Sequence, residues 1–241
     1  MTTDLLALWR QIYRAATMLE IPVSDKTLSV MIPTNTKTSE PKSVIVTDAD
    51  FRTFMDALLH YHEYDDVGRY TSQVLWYALM IAYYIGMRPA EVYALKREDI
   101  HLEDGYITVN KSVGSDTSKR KVIVPTKTKN SIRKIPINSE LSAILSKLLQ
   151  WTDHEFLISD CNGSLMDTNY TSNYIHLASK KCGIPFNFYM LRHKFATDLQ
   201  KTEAPRTIQD LMGHASFSMS VEYARSSEDD RKEAVKKRVL S

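Results

Sequence analysis

Apolar residues recur at helical spacing in the first 21 residues, where Leu5, Leu8 and Ile12 would share one face of a helix. Residues 33–46 are polar and include two prolines, which favours an exposed linker. We therefore expect three parts of the chain. They are a short N-terminal piece, a linker and one large domain, at residues 1–32, 33–46 and 47–241.

Further helices are predicted after residue 46. Thr47 and Asp50 have the spacing of a capping box at the start of a helix. The segment 72–86 is apolar on nearly all sides and ends in a glycine, which predicts a buried core helix closed by a left-handed residue. Pro89 can begin the next helix, so Arg88 is expected in the corner between two helices.

The hydrophobic period changes to two between residues 106 and 137, which predicts β-strands. Three short runs carry this period, YITVN, KVIVP and IRKIPI, with GSDTSKR as a turn or loop. Helices resume afterwards, one with Ser139 as its capping candidate and the last formed by residues 226–239. The expected fold is α+β and mostly helical, with a small three-stranded antiparallel sheet.

Composition excludes several classes of function. No apolar run approaches the roughly 18 residues of a membrane span and no signal sequence begins the chain, so we expect a cytoplasmic protein. Cys161 and Cys182 lack metal-ligand spacing, and His60 and His62 lack a third ligand, so no metal site is expected. No glycine-rich phosphate loop is present, so no nucleotide cofactor is expected.

The net charge of +2 conceals a segregated distribution. Residues 110–134 hold eight basic side chains against one acidic, whereas residues 45–110 hold five basic against eleven acidic. A concentrated basic stretch attracts a polyanion, because neutralising phosphates releases condensed counterions. The stretch predicts nucleic-acid binding, and a solvated hairpin without a partner is the alternative.

Cationic and aromatic side chains at corners and on helix faces are the candidates for chemistry. They are Arg88, Lys127, Lys129, Tyr189, Arg192, His214 and Tyr223. Each alone has a structural explanation, such as an ion pair with Glu91 for Arg88. Their order is more informative: GMRPAEVYAL precedes YMLRHKFAT, and LMGHASFSMSVEYA follows, with His214 nine residues before Tyr223.

These motifs resemble those of the tyrosine recombinases, the integrase family of phages and mobile elements. That family carries an arginine in G-x-R-x-x-E, a lysine on a β-hairpin, H-x-x-R, a histidine or tryptophan in an L-G-H-like turn, and a tyrosine nine residues later. The resemblance covers about residues 47–230, and the helix and linker before it resemble the end of the family's DNA-clamping core-binding domain. It implies a site-specific recombinase that acts on double-stranded DNA without a cofactor.

The resemblance implies a role for each matching residue, and the chemistry of phosphodiester cleavage supports these roles. Arg88 and Arg192 would hold the non-bridging phosphate oxygens through planar forks, which stabilises the charge of the transition state. His214 would donate a further hydrogen bond. Tyr223 would attack phosphorus to form a covalent 3′-phosphotyrosine, which retains the bond energy for ligation.

The family uses a hairpin lysine as the general acid that protonates the leaving 5′-oxygen. Lys127 is our choice, because family members usually place this lysine eight or nine residues before the strand proline, here Pro136. Lys129 is the alternative. Alternation along a strand puts both on the same face, so spacing alone does not separate them.

Tyr189 is a departure from the family, which most often has histidine at this position. Because Tyr189 and Arg192 are three positions apart on a helix, they still lie next to each other on its surface. A phenol is a poor base at neutral pH, since its ordinary pKa is about 10, so we expect a hydrogen-bond donor to the phosphate. Glu91 is expected to orient Arg88, and His193 is expected to be structural because it points about 100° away from Arg192.

The resemblance further implies a homo-tetramer on two DNA duplexes, with residues 226–239 as a candidate helix for exchange between neighbouring protomers. A type IB topoisomerase, which applies the same chemistry to one duplex, is an alternative function. A non-catalytic DNA-binding protein on the same fold is another. The chain looks short for a whole integrase, so we expect it to be a fragment of a longer protein.

Overall fold

The computed structural model describes residues 2–21, 46–62, 64–118, 120–126, 132–213 and 235–236. The chain divides into two compact units, Met1–Ser43 and Val44–Ser241. The first unit contains helix α1 (Thr2–Met18), as the hydrophobic spacing predicted. Its assignment to the end of a core-binding domain stays a prediction.

The second unit is mostly helical, as predicted. Its longer helices in the described ranges are α2 (Asp48–Leu59), α3 (Asp66–Ile85), α5 (Ser139–Trp151), α6 (Thr168–Cys182), α7 (Phe188–Leu199) and α8 (Pro205–Met212). The one-turn helix α4 (Pro89–Val92) follows α3 after a three-residue corner. The helix predicted at residues 226–239 lies almost entirely outside the described residues.

Helix α3 forms the centre of the core, which confirms the prediction from its apolar sequence. It packs against α2, α5 and α7, and side chains such as Leu75, Leu79 and Ile81 are fully buried. Burial of each such side chain stabilises the fold by about 1.5–3 kcal/mol. The helix is therefore a rigid base for the residues that follow its C-terminus.

The strands form two small antiparallel sheets. The first has the order β1-β2-β5 and the second pairs β3 with β4. Their bounds are β1 (Ile100–His101), β2 (Tyr106–Val109), β3 (Lys111–Ser115), β4 (Lys121–Pro125) and β5 (Arg133–Pro136). The predicted three-stranded sheet exists, but KVIVP pairs with β3 in a separate hairpin, and β1 takes its place. Periodicity finds strands without specifying which strands pair, so it could not show this division.

Two helix starts show how local sequence sets the ends of helices. Thr47 and Asp50 form the predicted capping box before α2, with the Asp50 N–H donating to the Thr47 hydroxyl over 3.0 Å. At α5, however, the N-cap is Asn138, whose side chain accepts a hydrogen bond from the Leu141 N–H over 2.9 Å. The expectation of Ser139 as the cap was wrong by one residue. Asparagine and serine are both good caps, so sequence alone did not separate them.

Several bases of the stretch 110–134 serve the fold, where the sequence predicted contacts with a polyanion. Lys111 lies 2.5 Å from the Asp99 carboxylate with its side chain 14% exposed. Lys121 donates to the Thr168 hydroxyl over 3.2 Å at the start of α6. These lysines tie the β3-β4 hairpin to the body of the domain, so the net charge of the stretch overstates how many of its basic side chains are free to bind a polyanion.

The described ranges contain no helix long and apolar enough to cross a membrane. Both cysteines are free, with Cys161 exposed and Cys182 partly buried. Within the same ranges, no group of three or more His, Cys, Asp or Glu side chains is placed to hold a metal ion.

Candidate functional site

Arg88 lies in the predicted corner between α3 and α4. Gly86 ends α3 in the left-handed conformation, with φ of 64°, and Arg88 is extended and directly precedes Pro89, the first residue of α4. The Arg88 side chain is 33% exposed, and its Nη1 donates to Glu91 over 2.9 Å. Its backbone N–H donates to the other Glu91 oxygen over 2.9 Å. Glu91 therefore orients Arg88 by contact, as expected from the sequence.

Glu91 also accepts two hydrogen bonds from a second arginine. Arg133, on β5, reaches Glu91 Oε1 with Nη1 over 3.1 Å and Oε2 with Nη2 over 2.9 Å. Burial by itself raises the pKa of Glu91, but the hydrogen bonds and charges of Arg133 and Arg88 outweigh burial and hold the pKa at about 2. Glu91 is thus an ionised acceptor shared by two guanidinium groups.

Arg192 is buried on α7 and is held by backbone carbonyls. Its Nη1 donates to the Gly86 carbonyl and its Nη2 to the Met212 carbonyl, each over 2.6 Å. Burial, and then the positive charges of Arg88 and Arg133, lower its pKa to about 9, so the group is still cationic at neutral pH. No carboxylate among the described residues forms an ion pair with Arg192, and its charge is therefore not cancelled.

The C-terminus of α8 is the point where the three arginines meet. Three consecutive carbonyl groups accept from them: Leu211 from Arg133 over 2.8 Å, Met212 from Arg192 over 2.6 Å, and Gly213 from Arg88 over 3.2 Å. The last carbonyls of a helix lack partners within the helix and carry partial negative charge, so they suit cationic donors. Gly213 adopts φ of 62° and ends the helix.

The cluster of Arg88, Arg133, Arg192 and Glu91 therefore holds three positive charges and one negative charge. Carbonyl acceptors fix the guanidinium groups in place without neutralising them. Such a site suits an anion that needs several hydrogen-bond donors in fixed positions.

The structure brings two of the predicted site residues, Arg88 and Arg192, into this cluster. Tyr189 lies one helical turn before Arg192 with 57% of its surface exposed, which leaves its phenol accessible to a ligand. His193 is exposed while Arg192 is buried, so these neighbours face different surroundings, as the helical angle predicted. His214 directly follows Gly213.

Four of the predicted residues lie outside the described residues. They are Lys127, Lys129, His214 and Tyr223. Their roles remain predictions from the sequence.

Arg133 is the member of the cluster that sequence reasoning missed, since it was counted only as one base of the charged stretch. A signal was present in the alternation of β5, where Arg133 and Ile135 are buried and Lys134 is exposed. A charged residue at an inward-facing strand position requires a partner inside the protein. That partner is Glu91.

The sequence of this chain is similar to those of known proteins. The model of the phage integrase family matches residues 52–230. Among curated relatives, tyrosine recombinase XerA of Pyrococcus furiosus is 29% identical over 161 residues, which are 66% of this chain and 52% of the relative. Tyrosine recombinase XerD of Halalkalibacterium halodurans is 27% identical over 203 residues, 83% of this chain and 62% of the relative. The chain thus spans about half to three fifths of the length of these relatives.

Solved structures share the fold. The Tn1549 transposon integrase in complex with transposon right end DNA has a TM-score of 0.72 at 21% identity, over 96% of this chain and 76% of that chain. A lambda integrase dimer bound to a core site has a TM-score of 0.59 at 19% identity, over 92% and 74% of the two chains. These likenesses confirm the predicted fold class.

Proposed function

Because the chain belongs to the phage integrase family, we propose that it is the catalytic part of a tyrosine recombinase that cleaves and rejoins DNA strands at specific sites. The observation that carries this proposal is the arginine cluster, in which Arg88 and Arg192 keep their positive charge while protein carbonyls hold them in place. The relatives named tyrosine recombinases and the transposon integrase seen with DNA support it.

The cluster suits the transition state of phosphodiester cleavage. Negative charge builds up on the non-bridging oxygens as the nucleophile attacks, and donors fixed before the reaction stabilise that charge without further reorganisation. Arg88 and Arg192 supply these donors, and His214, next to Gly213, adds another. Two planar guanidinium groups satisfy phosphate geometry better than ammonium groups do.

Tyr223 is the nucleophile in this proposal. Its phenolic oxygen forms the bond to phosphorus, its proton passes to solvent, and the bond from phosphorus to the 5′-oxygen breaks. Lys127, with Lys129 as the alternative, donates the proton that the leaving 5′-oxygen takes up. Attack of another strand's 5′-hydroxyl on the phosphotyrosine reverses these steps and joins the new strand, so no cofactor is required.

The test is covalent capture of DNA. The full chain is incubated with a pool of duplexes that carry a randomised sequence and a nick, which lets the cleaved end diffuse away and traps the adduct. Wild type is expected to form an adduct that survives denaturing electrophoresis, and sequencing of the trapped DNA identifies the target site.

Tyr223→Phe is expected to form no adduct in this assay. The matched control is Tyr64→Phe, which removes a hydroxyl from an 83% exposed tyrosine and is expected to react like wild type. An adduct that persists in Tyr223→Phe would exclude Tyr223 as the nucleophile.

We further propose that the active species is a homo-tetramer on two duplexes, with exchange of the helix at residues 226–239. A lambda integrase tetramer bound to a Holliday junction, with a TM-score of 0.58 at 19% identity, supports this assembly. Since the substrate is DNA, the reaction would take place in the cytoplasm of a bacterial host. Relaxation of supercoiled DNA without the joining of two sites would instead indicate topoisomerase activity.

A further inference from the structure

Arg133 occupies a position in the cluster that differs from those of Arg88 and Arg192. Its side chain is 6% exposed, and it spans both oxygens of Glu91, whose side chain is 3% exposed. Its Nε donates to the Leu211 carbonyl over 2.8 Å. Each nitrogen of this guanidinium thus already donates to an acceptor within the protein, and two of the three serve the Glu91 carboxylate, whereas Arg192 donates to two neutral carbonyls.

We propose that Arg133 is a positioning residue of the recombinase site, which neutralises Glu91 so that Arg88 keeps its charge for the phosphate and which holds the end of α8 in register. This inference rests on the proposed function of the site. It assigns a task to a residue that lies outside the set expected to touch DNA.

The charge argument begins with Glu91, which contacts Arg88 through both of its oxygens. If Arg133 were absent, Glu91 would pair with Arg88 alone, and the cluster would keep one surplus positive charge where it now has two. A phosphodiester carries one negative charge, and the transition state of its cleavage adds negative charge on the same oxygens. Arg133 thus maintains the surplus that the transition state requires.

The geometric argument concerns the turn that leads to His214. Arg133 holds the Leu211 carbonyl, while Arg192 and Arg88 hold the next two carbonyls along the chain. Arg133 also leaves no room for a side chain at Gly213, because a Cβ atom placed there would lie 2.9 Å from Arg133 Nη1. The side chain of Arg133 therefore fixes the path of the backbone immediately before His214.

The experiment measures single-turnover adduct formation on the target site recovered from the nicked pool, with DNA affinity measured separately. Arg133→Gln is expected to slow cleavage at least tenfold while the Kd for DNA changes less than threefold. Adding Glu91→Gln removes the negative charge that would otherwise pair with Arg88 alone and restores the surplus of two, so the double variant is expected to cleave at least fivefold faster than Arg133→Gln. A purely structural role predicts the opposite order, because the second substitution would only remove further contacts.

The matched control is Arg97→Gln. Arg97 also holds carbonyls at a helix end, those of Leu149 and Thr152 at 3.0 and 2.6 Å, and the substitution makes the same change of charge without a contact to Glu91. It is expected to lower the melting temperature without slowing cleavage.

Three results would overturn the inference: cleavage by Arg133→Gln within twofold of wild type, a double variant no faster than that single variant, or an equal loss in Arg97→Gln. If Arg133→Gln does not fold, the double variant decides alone, since it removes both members of the buried Arg133–Glu91 ion pair together. Cleavage within tenfold of wild type then supports the inference, and any greater loss overturns it. The absence of any adduct with wild type would overturn the proposed function as well, which distinguishes the two failures.

Discussion

Glu91 is a buried carboxylate whose ionised form is required by its two arginine partners. Its pKa is held at about 2, against an ordinary value of 4.5, so folding favours the ionised form. A group with a lowered pKa contributes stability that is complete above the unfolded pKa and is lost as the pH falls towards the folded pKa. The window for Glu91 therefore runs from about pH 4.5 down to about 2.

We expect wild type to lose up to about 3 kcal/mol of unfolding free energy from this group between pH 5 and pH 2. The glutamine of Glu91→Gln does not ionise, so the difference in unfolding free energy between wild type and this variant should shrink over the same pH range. Urea unfolding of both proteins at pH 7, 4 and 3 measures this difference. A deficit that stays constant from pH 7 to 3 would contradict the assignment.

Tyr189 stands where the family most often has histidine, and its exposure makes it available to a phosphate. We expect Tyr189→His to keep or raise the rate of adduct formation and Tyr189→Phe to lower it, because only the latter lacks a donor. Tyr170→Phe, a change at another exposed tyrosine, is the control. Equal rates for wild type and Tyr189→Phe would remove the phenol from the mechanism.

At the scale of elements, the site depends on the helix ends that deliver carbonyl groups to the arginines. Gly86 is left-handed, and a Cβ placed on it would lie 2.4 Å from the Phe195 ring of α7. The end of α3 therefore approaches α7 closely enough for Arg192 to reach the Gly86 carbonyl.

Gly86→Ala is expected to destabilise the protein by more than its matched control, Gly183→Ala. Gly183 also ends a helix at φ of 74°, but no atom lies within 4 Å of a Cβ placed there. The control should cost about 1 kcal/mol, the penalty for a left-handed alanine, whereas Gly86→Ala must also displace Phe195. Denaturant unfolding measures both, and equal losses would show that the contact with Phe195 has no energetic effect.

Helix α5 provides a second test at this scale. Asn138→Ala removes the observed cap and should cost about 1 kcal/mol, whereas Ser139→Ala should be nearly neutral. Thermal unfolding of the two variants distinguishes them. The reverse order would restore Ser139 as the cap.

At the scale of the whole molecule, the recombination that we propose would require several copies of the chain on DNA. We expect mass measurements on the purified protein with its target duplex to show tetramers on two duplexes. Deleting residues 226–241 leaves Tyr223 in place, so adduct formation should persist while the tetramer is lost. A protein that stays monomeric on DNA at all concentrations would contradict this assembly.

The amino-acid sequence by itself determined helix α1, the capping box that begins α2, the buried helix α3 with its glycine end, and the motifs that carry Arg88 and Arg192. These features depend on residues within one or two helical turns, so periodicity and capping preferences reveal them. The family resemblance, which the family match confirms, was equally readable because the motifs keep their order and spacing.

Only the tertiary structure decided the rest. Arg133 donates to Glu91, which lies 42 residues away in the sequence, and to the Leu211 carbonyl, which lies 78 residues away. Arg88 donates to the Gly213 carbonyl, which lies 125 residues away. The pairing of KVIVP with β3 was also undetermined, because several antiparallel pairings satisfy the same alternation. Contacts of this kind depend on how distant segments pack, and local patterns do not encode them. For this reason the basic residues of segment 110–134 predicted nucleic-acid binding, whereas the fold places one of them, Arg133, inside the site.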